Sequence, residues 1–186
     1  MPIFINMRKE MLETVNIPEG VNVEIKGTTV ICKKSGIEHS KEFVIPGITI
    51  LANGNNIIIR AEKGNKNDWK KIKSTVAHIN NLLAGIDKKF TYTLEACNVH
   101  FPMTLKLDKG NLIINNFLGE KVPRSAKILS NVDIDIKGTK ITLSSHDRDS
   151  AGQTAANIEK ATKIRYRDRR IFQDGIFITS KPEAAQ

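Results

Sequence analysis

Three pairs of glycines set the framework of this chain. Gly27 and Gly110 stand 83 positions apart, and Gly36 and Gly119 repeat that spacing. Gly54 and Gly138 stand 84 apart, as do the flanking apolar pairs Ile57/Ile141 and Ile59/Leu143. Self-similarity at a fixed offset marks a duplicated structural unit, and the one-residue slip fits a single insertion in the loop between the two sets. Each copy reads hairpin, loop, hairpin, charged loop, helix. The 186 residues give room for two small domains. The expected class is α+β: two duplicated domains, 1–85 and 86–186, each an antiparallel β-sheet with a helix packed on one face.

In the first copy, Val21, Val23 and Ile25, then Lys26-Gly27-Thr28, then Val30 and Cys32 predict a hairpin around a tight turn. Gly36 ends its second strand. Phe43-Val44-Ile45 predicts a short strand closed by Pro46-Gly47, and Ile48, Ile50, the turn Asn53-Gly54 and Ile57 to Ile59 a second hairpin. Arg60 to Lys66 reads as a charged link to a helix with Asn67 at its N-cap, Asp68 at the positive end of its dipole, and Gly85 at C′. Trp69, Ile72, Val76, Ile79 and Leu83 form its apolar stripe. Residues 1–20 fit either a brief helix or an extended arm.

The second copy predicts a strand-like run from Phe90 to Phe101, a hairpin around Lys109-Gly110, a basic loop from Glu120 to Lys127, and a hairpin around Lys137-Gly138-Thr139. A polar loop, Ser144 to Ser150, precedes a helix over Ala151–Ile164 with Ala155, Ile158, Ala161 and Thr162 on its inner side. Gly152 weakens that helix. A last strand lies near Ile176–Ile178.

Lys and Arg number 29 against 20 Asp and Glu, a net charge of +9, and the pI is near 9.6. Such a balance points to a polyanionic partner, nucleic acid or an anionic membrane surface. No run approaches the ~20 apolar residues of a membrane span, and the apolar start of MPIFINMRKEM is too short for a signal peptide. The two cysteines, Cys32 and Cys97, fit a reducing cytosol as free thiols.

The excess charge of residues 87–186, 17 basic against 12 acidic side chains, is concentrated in one place. Lys160, Lys163, Arg165, Arg167, Arg169 and Arg170 face only Asp168, and the segment then turns apolar through Ile171, Phe172, Gly175, Ile176, Phe177 and Ile178. A purely basic tail hovers over a polyanion, whereas one that ends in an apolar anchor holds its charges in place. Arginine forks match phosphate geometry, and Tyr166 offers a ring to stack on a base or ribose. Aromatic residues make up only 5% of the chain, so phosphate and shape contacts are expected to dominate over stacking. Lys121, Arg124 and Lys127 form a second set, either phosphate contacts or a solvated loop, and Arg148 is a further candidate. Lys70, Lys71 and Lys73 read as a solvated helix face.

Enzyme chemistry finds little support. His146, Asp147 and Asp149 suggest the metal ligands of a nuclease, yet all lie in one loop, and metal sites converge from several elements. Ser145-His146-Asp147 cannot align as a triad, because neighbours in sequence cannot line up nucleophile, base and orienter. That loop reads instead as a cap for the following helix. Cys97 and His100 lack a second ligand pair for zinc, and the glycines form neither phosphate-loop nor dinucleotide fingerprints. The expectation is no catalytic residue, no metal and no cofactor. The competing readings are a metal-dependent nuclease and a free nucleic-acid-binding regulator, and the latter lacks a helix-turn-helix signature.

Three stretches, Asn116-Phe117-Leu118-Gly119-Glu120-Lys121, Ile158-Glu159-Lys160-Ala161-Thr162-Lys163-Ile164, and Arg169-Arg170-Ile171-Phe172-Gln173-Asp174-Gly175-Ile176, resemble the large-subunit ribosomal protein six family. Ile17-Pro18-Glu19-Gly20-Val21 and Val23-Glu24-Ile25-Lys26-Gly27 resemble its archaeal and eukaryotic branch. The similarity runs in one register along nearly the whole chain. It implies a duplicated α+β fold and a structural role on the cytoplasmic ribosome. It further implies binding to large-subunit rRNA, mainly through the C-terminal domain, near the sarcin–ricin loop and the base of the factor-binding stalk. Neighbouring ribosomal proteins would be partners, with translation factors nearby. Under this resemblance Lys160, Lys163, Arg165, Tyr166, Arg167, Arg169 and Arg170 become the expected rRNA contacts, with Lys121, Arg124, Lys127 and Arg148 as the outer set.

Overall fold

The computed structural model describes residues 9–34, 36–168 and 170–183, and the chain divides into two units between Lys88 and Lys89. The first unit contains β1 (Lys9–Asn16), β2 (Asn22–Lys26), β3 (Thr29–Lys34), β4 (Ile37–Glu42), β5 (Thr49–Asn53), β6 (Asn56–Gly64) and α1 (Lys66–Asp87). Its strands form two antiparallel sheets, ordered β1-β6-β5 and β2-β3-β4. The second unit contains β7 (Phe90–Cys97), β8 (Thr104–Asp108), β9 (Asn111–Asn115), a single 3-10 turn (Phe117–Gly119), β10 (Arg124–Lys127), β11 (Asp133–Lys137), β12 (Lys140–Ser145), α2 (Arg148–Ala161) and β13 (Gly175–Ser180). Its sheets run β10-β9-β8 and β11-β12-β7-β13.

The duplication is plain in the sheet orders. β1-β6-β5 corresponds to β7-β12-β11, and β2-β3-β4 to β8-β9-β10. Gly54 and Gly138 open equivalent two-residue turns, at φ +57° and +63°. Gly27 takes the first position of its turn and Gly110 the second, so the turns correspond although the glycines are offset by one. The second unit adds β13 against the free side of β7, and the basic segment leads into that extra strand. Each unit has its own core. Ile57, Ile59, Ile72 and Ile79 are fully buried in the first, and Leu94, Leu112, Ile141, Leu143, Ile158 and Ile176 in the second.

Several local expectations are corrected. β1 is a strand, the extended alternative for the opening segment; residues 1–8 lie outside the described region. The supposed charged link after Ile59 continues β6 to Gly64, because β1 pairs along it. Arg60 Nε contacts Glu10 at 2.8 Å, Ala61 is buried, and a side chain at Gly64 would collide with Met11. The strand expected at Phe43–Ile45 lies earlier, as β4, while Phe43 itself is a buried residue after it. The half-buried side of β4 presents Ile37, His39 and Lys41, so the strand carries no apolar alternation. It forms by pairing with β3, with Cys32 opposite His39.

The cap of α1 is Asn65, not Asn67. Asn65 Oδ1 accepts from Asn67 N and Asp68 N, and Asp68 returns a bond from Asn65 N, a complete capping box. Gly85 does not end this helix: it is buried inside it, and Lys88 N closes the last turn on Ala84 O at 3.0 Å. Trp69 is partly exposed beneath Lys73, and Thr75, Leu82 and Ile86 join the buried face instead. The second half of the expected basic loop is strand β10, paired to β9 through Arg124↔Ile114 and Lys127↔Asn111. Only Ala126 is buried there, too little to announce a strand. β7 ends at Cys97 rather than Phe101. Cys32 and Cys97 are free thiols, and burial pushes the Cys32 thiol up to about 12. No described helix is long and apolar enough to cross a membrane.

Candidate nucleic-acid interface

The site begins with α2. Asp147 caps it, accepting from Asp149 N at 3.1 Å and Ser150 N at 3.2 Å. The His146-Asp147-Asp149 loop therefore serves the helix, and among the described residues no group of three or more His, Cys, Asp or Glu side chains could hold a metal. Ala151, Thr154, Ala155 and Ile158 bury one face of α2, and Gly152 is also on the packed side. A Cβ at Gly152 would stand 2.9 Å from Tyr92 Oη, so the residue that weakens the helix also lets it approach β7.

α2 ends one turn earlier than the periodicity suggests, at Ala161, with Thr162 as its buried C-cap. Thr162 Oγ1 donates to Glu159 O and accepts from Ile176 N at 2.9 Å. Between these anchors the chain is irregular. Lys163, Arg165, Tyr166, Arg167 and Arg170 are exposed, while Ile164 is half-buried and packs on the core. Tyr166 is fully exposed in a left-handed conformation, φ +59°. Asp168 O accepts from Ile171 N at 3.1 Å and Phe172 N at 2.9 Å, a tight turn. The backbone N–H of Arg170, and then its guanidinium, hold the Asp168 carboxyl below the usual carboxylate range. Arg169 lies outside the described residues.

The apolar end anchors the segment through fewer residues than its composition suggests. Ile176 is fully buried and Ile178 and Phe172 are half-buried, but Ile171 is 63% exposed and Phe177 40%. A polar clamp makes up the difference. Asp174 is buried and accepts from Val99 N at 2.9 Å and His100 N at 3.0 Å, with His100 Nδ1 2.6 Å from its other oxygen. Burial alone would raise the Asp174 pKa, but these bonds outweigh it and hold the carboxyl low.

Arg124 packs 4.2 Å above the Phe117 ring centroid, pairs with Glu120 through both oxygens at 2.5 and 2.7 Å, and donates to Ala161 O at 2.9 Å. It ties the loop before β10 to the end of α2. Glu120 is held below its usual range, first by the hydrogen bond from Arg124 and in lesser part by the Arg124 and Arg167 charges. Around this strut opens a cleft of about 340 Å³ lined by Glu120, Arg124, Lys160, Lys163, Arg165 and Arg167.

The structure thus gathers Arg124 with the main segment and leaves others of the outer set apart. Lys121 is exposed in the loop before β10, and Lys127 is exposed at the end of that strand, where its carbonyl accepts from Asn157. Arg148 lies twelve residues from Lys160, roughly 18 Å along the helix axis at 1.5 Å per residue. There its guanidinium stands 5.9 Å from the Phe90 ring centroid. The supports Phe117, Glu120, His100, Thr162 and Asp174 are not legible as site residues in the sequence. His100 and Asp174, for example, are 74 positions apart.

Comparison with known proteins identifies the family. The family model described as Ribosomal protein L6 matches residues 101–175, which include the cleft and Asp174 but not Val99 and His100 of the clamp. "Large ribosomal subunit protein uL6" of Methanobrevibacter smithii is 40% identical over 91% of this chain and 95% of its own length. The proteins of that name from Methanocella arvoryzae and Methanococcus vannielii are 36% and 37% identical, covering 94% and 97% of this chain and 99% and 97% of their own lengths. With identity at this level along both units, the chain belongs to the large ribosomal subunit protein uL6 family.

Proposed function

We propose that this chain is a structural constituent of the large ribosomal subunit and binds large-subunit rRNA through its second unit. The observation that carries the reading is the end-to-end similarity to relatives named as large ribosomal subunit proteins. The basic segment held at both ends by Thr162 and Asp174 supports it. Lys160, Lys163, Arg165, Arg167, Arg169 and Arg170 direct charge to phosphates, and Tyr166 offers its exposed ring to a base or ribose. Lys121 and Lys127 contribute at the margin, and Arg148 only at a distance. Arg124 acts chiefly as a strut. By family resemblance the binding place is near the sarcin–ricin loop and the base of the factor-binding stalk, on the cytoplasmic ribosome, beside other ribosomal proteins and close to translation factors. The role is architectural: Asp147 is committed to capping α2. Sedimentation of the tagged chain from lysate tests this reading. It should travel with large subunits and crosslink to large-subunit rRNA, and a chain that stays at the top of the gradient contradicts it.

A further inference from the structure

The cations of the site are held in different ways. Arg124 is paired to Glu120, and Arg170 to Asp168. Arg167 is held by a ring: its guanidinium carbon lies 4.7 Å from the Phe172 centroid. No described carboxylate lies within ion-pair distance of it. Phe172 in turn stacks on His100, centroids 5.0 Å apart and planes 24° from parallel. His100 is fixed to the buried carboxylate of Asp174, which also takes two backbone N–H groups. The contacts run carboxylate, imidazole, phenyl, guanidinium, and they start from the buried Asp174. The turn closed by Asp168 O on Ile171 N and Phe172 N returns the chain so that residue 172 meets residue 167.

We propose that Arg167 is the oriented phosphate ligand of this segment, and that Phe172, His100 and Asp174 are positioning residues that act through it. The inference rests on the rRNA-binding reading above. A guanidinium lying on an aromatic face keeps its in-plane N–H fork free for phosphate oxygens. It also begins with few rotamers to lose, so binding costs less ordering than for a free side chain. A lysine carries the same charge without the flat fork, and a leucine beneath it fills space without the π face.

The test measures affinity of the full chain for in vitro transcribed large-subunit rRNA across a salt series, with an unrelated transcript as control and thermal unfolding alongside. Arg167→Gln should weaken binding about tenfold and flatten the log K against log salt slope by about one unit. Arg167→Lys, a surface change that leaves the fold alone, should keep the slope yet lose several-fold in affinity. Phe172→Leu should lose a similar factor, and Phe172→Tyr should restore it. In the Arg167→Gln background, Phe172→Leu should add less than twofold, because the residue it positions is already gone. Independent, multiplying losses for Arg167→Gln and Phe172→Leu, or wild-type affinity in Arg167→Lys, would overturn the proposal while leaving rRNA binding intact. A wild-type chain that shows no preference for the rRNA transcript would overturn both.

Discussion

The hydroxyl of Thr162, at the C-cap of α2, accepts the backbone N–H of Ile176, the second residue of β13, at 2.9 Å. These two residues bracket the basic segment from Lys163 to Arg170, and both are buried. One side chain therefore closes the loop that carries the charges. Thr162→Val keeps the shape but leaves a buried N–H unpaired, a loss of about 1–3 kcal/mol. Thr162→Ser should recover most of it. Denaturant unfolding of the two variants checks this, and a valine variant as stable as the wild type would show that the Thr162–Ile176 hydrogen bond contributes nothing.

Gly152 makes a second prediction, opposite to helix propensity. Glycine to alanine in an ordinary helix interior gains about 0.8–1.0 kcal/mol. Here the added methyl would meet Tyr92 Oη at 2.9 Å and Cζ at 3.4 Å, against a ring that is itself packed in the core. Gly152→Ala should therefore lower the melting temperature. Combined with Tyr92→Phe, which removes the nearest atom, the same change should be better tolerated than it is alone. If alanine stabilises the protein with Tyr92 intact, the close approach of α2 to β7 is wrong.

Asp174 predicts a pH dependence. Burial tends to raise its pKa, but the bonds from His100 and Val99 prevail, so the folded value lies below the usual carboxylate range. A carboxyl lowered in the folded state binds its proton more readily when unfolded. Its contribution is thus complete above the ordinary carboxylate range and is lost as pH falls through the lowered value. Unfolding free energies of wild type and Asp174→Asn, followed from neutral pH into acid, should converge as pH drops. Other carboxyls titrate in both proteins and cancel from the difference. A gap that stays constant or widens would contradict this account of the clamp.

How legible these features are in the sequence follows from where their causes lie. The hairpins at Gly27, Gly54, Gly110 and Gly138 are readable because turn chemistry and alternation sit within a few residues of one another. β4 and β10 are not, since each borrows its strand character from a partner: His39 sits opposite Cys32, and Ser125 opposite Ile113. Asn65 and Asn67 are both caps by type, and the bonds made in the fold distinguish them: Asn65 Oδ1 accepts from Asn67 N and Asp68 N, and Asn65 N donates to Asp68. The basic segment stands out through sheer charge density. Its rigidity does not, because the holding contacts join Thr162 to Ile176 and Asp174 to His100 across loops and strands. Ile171, apolar but exposed, shows that composition alone misplaces the anchor.

The salt dependence of rRNA binding tests the central claim most directly. Each phosphate neutralised on a duplex adds about 0.9 to the magnitude of the log K against log salt slope. Replacing Arg165, Arg167, Arg169 and Arg170 by glutamine should flatten that slope by roughly 2–4 units. The unfolding transition should change little, because surface charge replacements normally stay within about 0.5 kcal/mol each. A folded four-arginine variant with the wild-type slope would contradict the account and move the RNA site elsewhere, first to Lys121, Arg124 and Lys127.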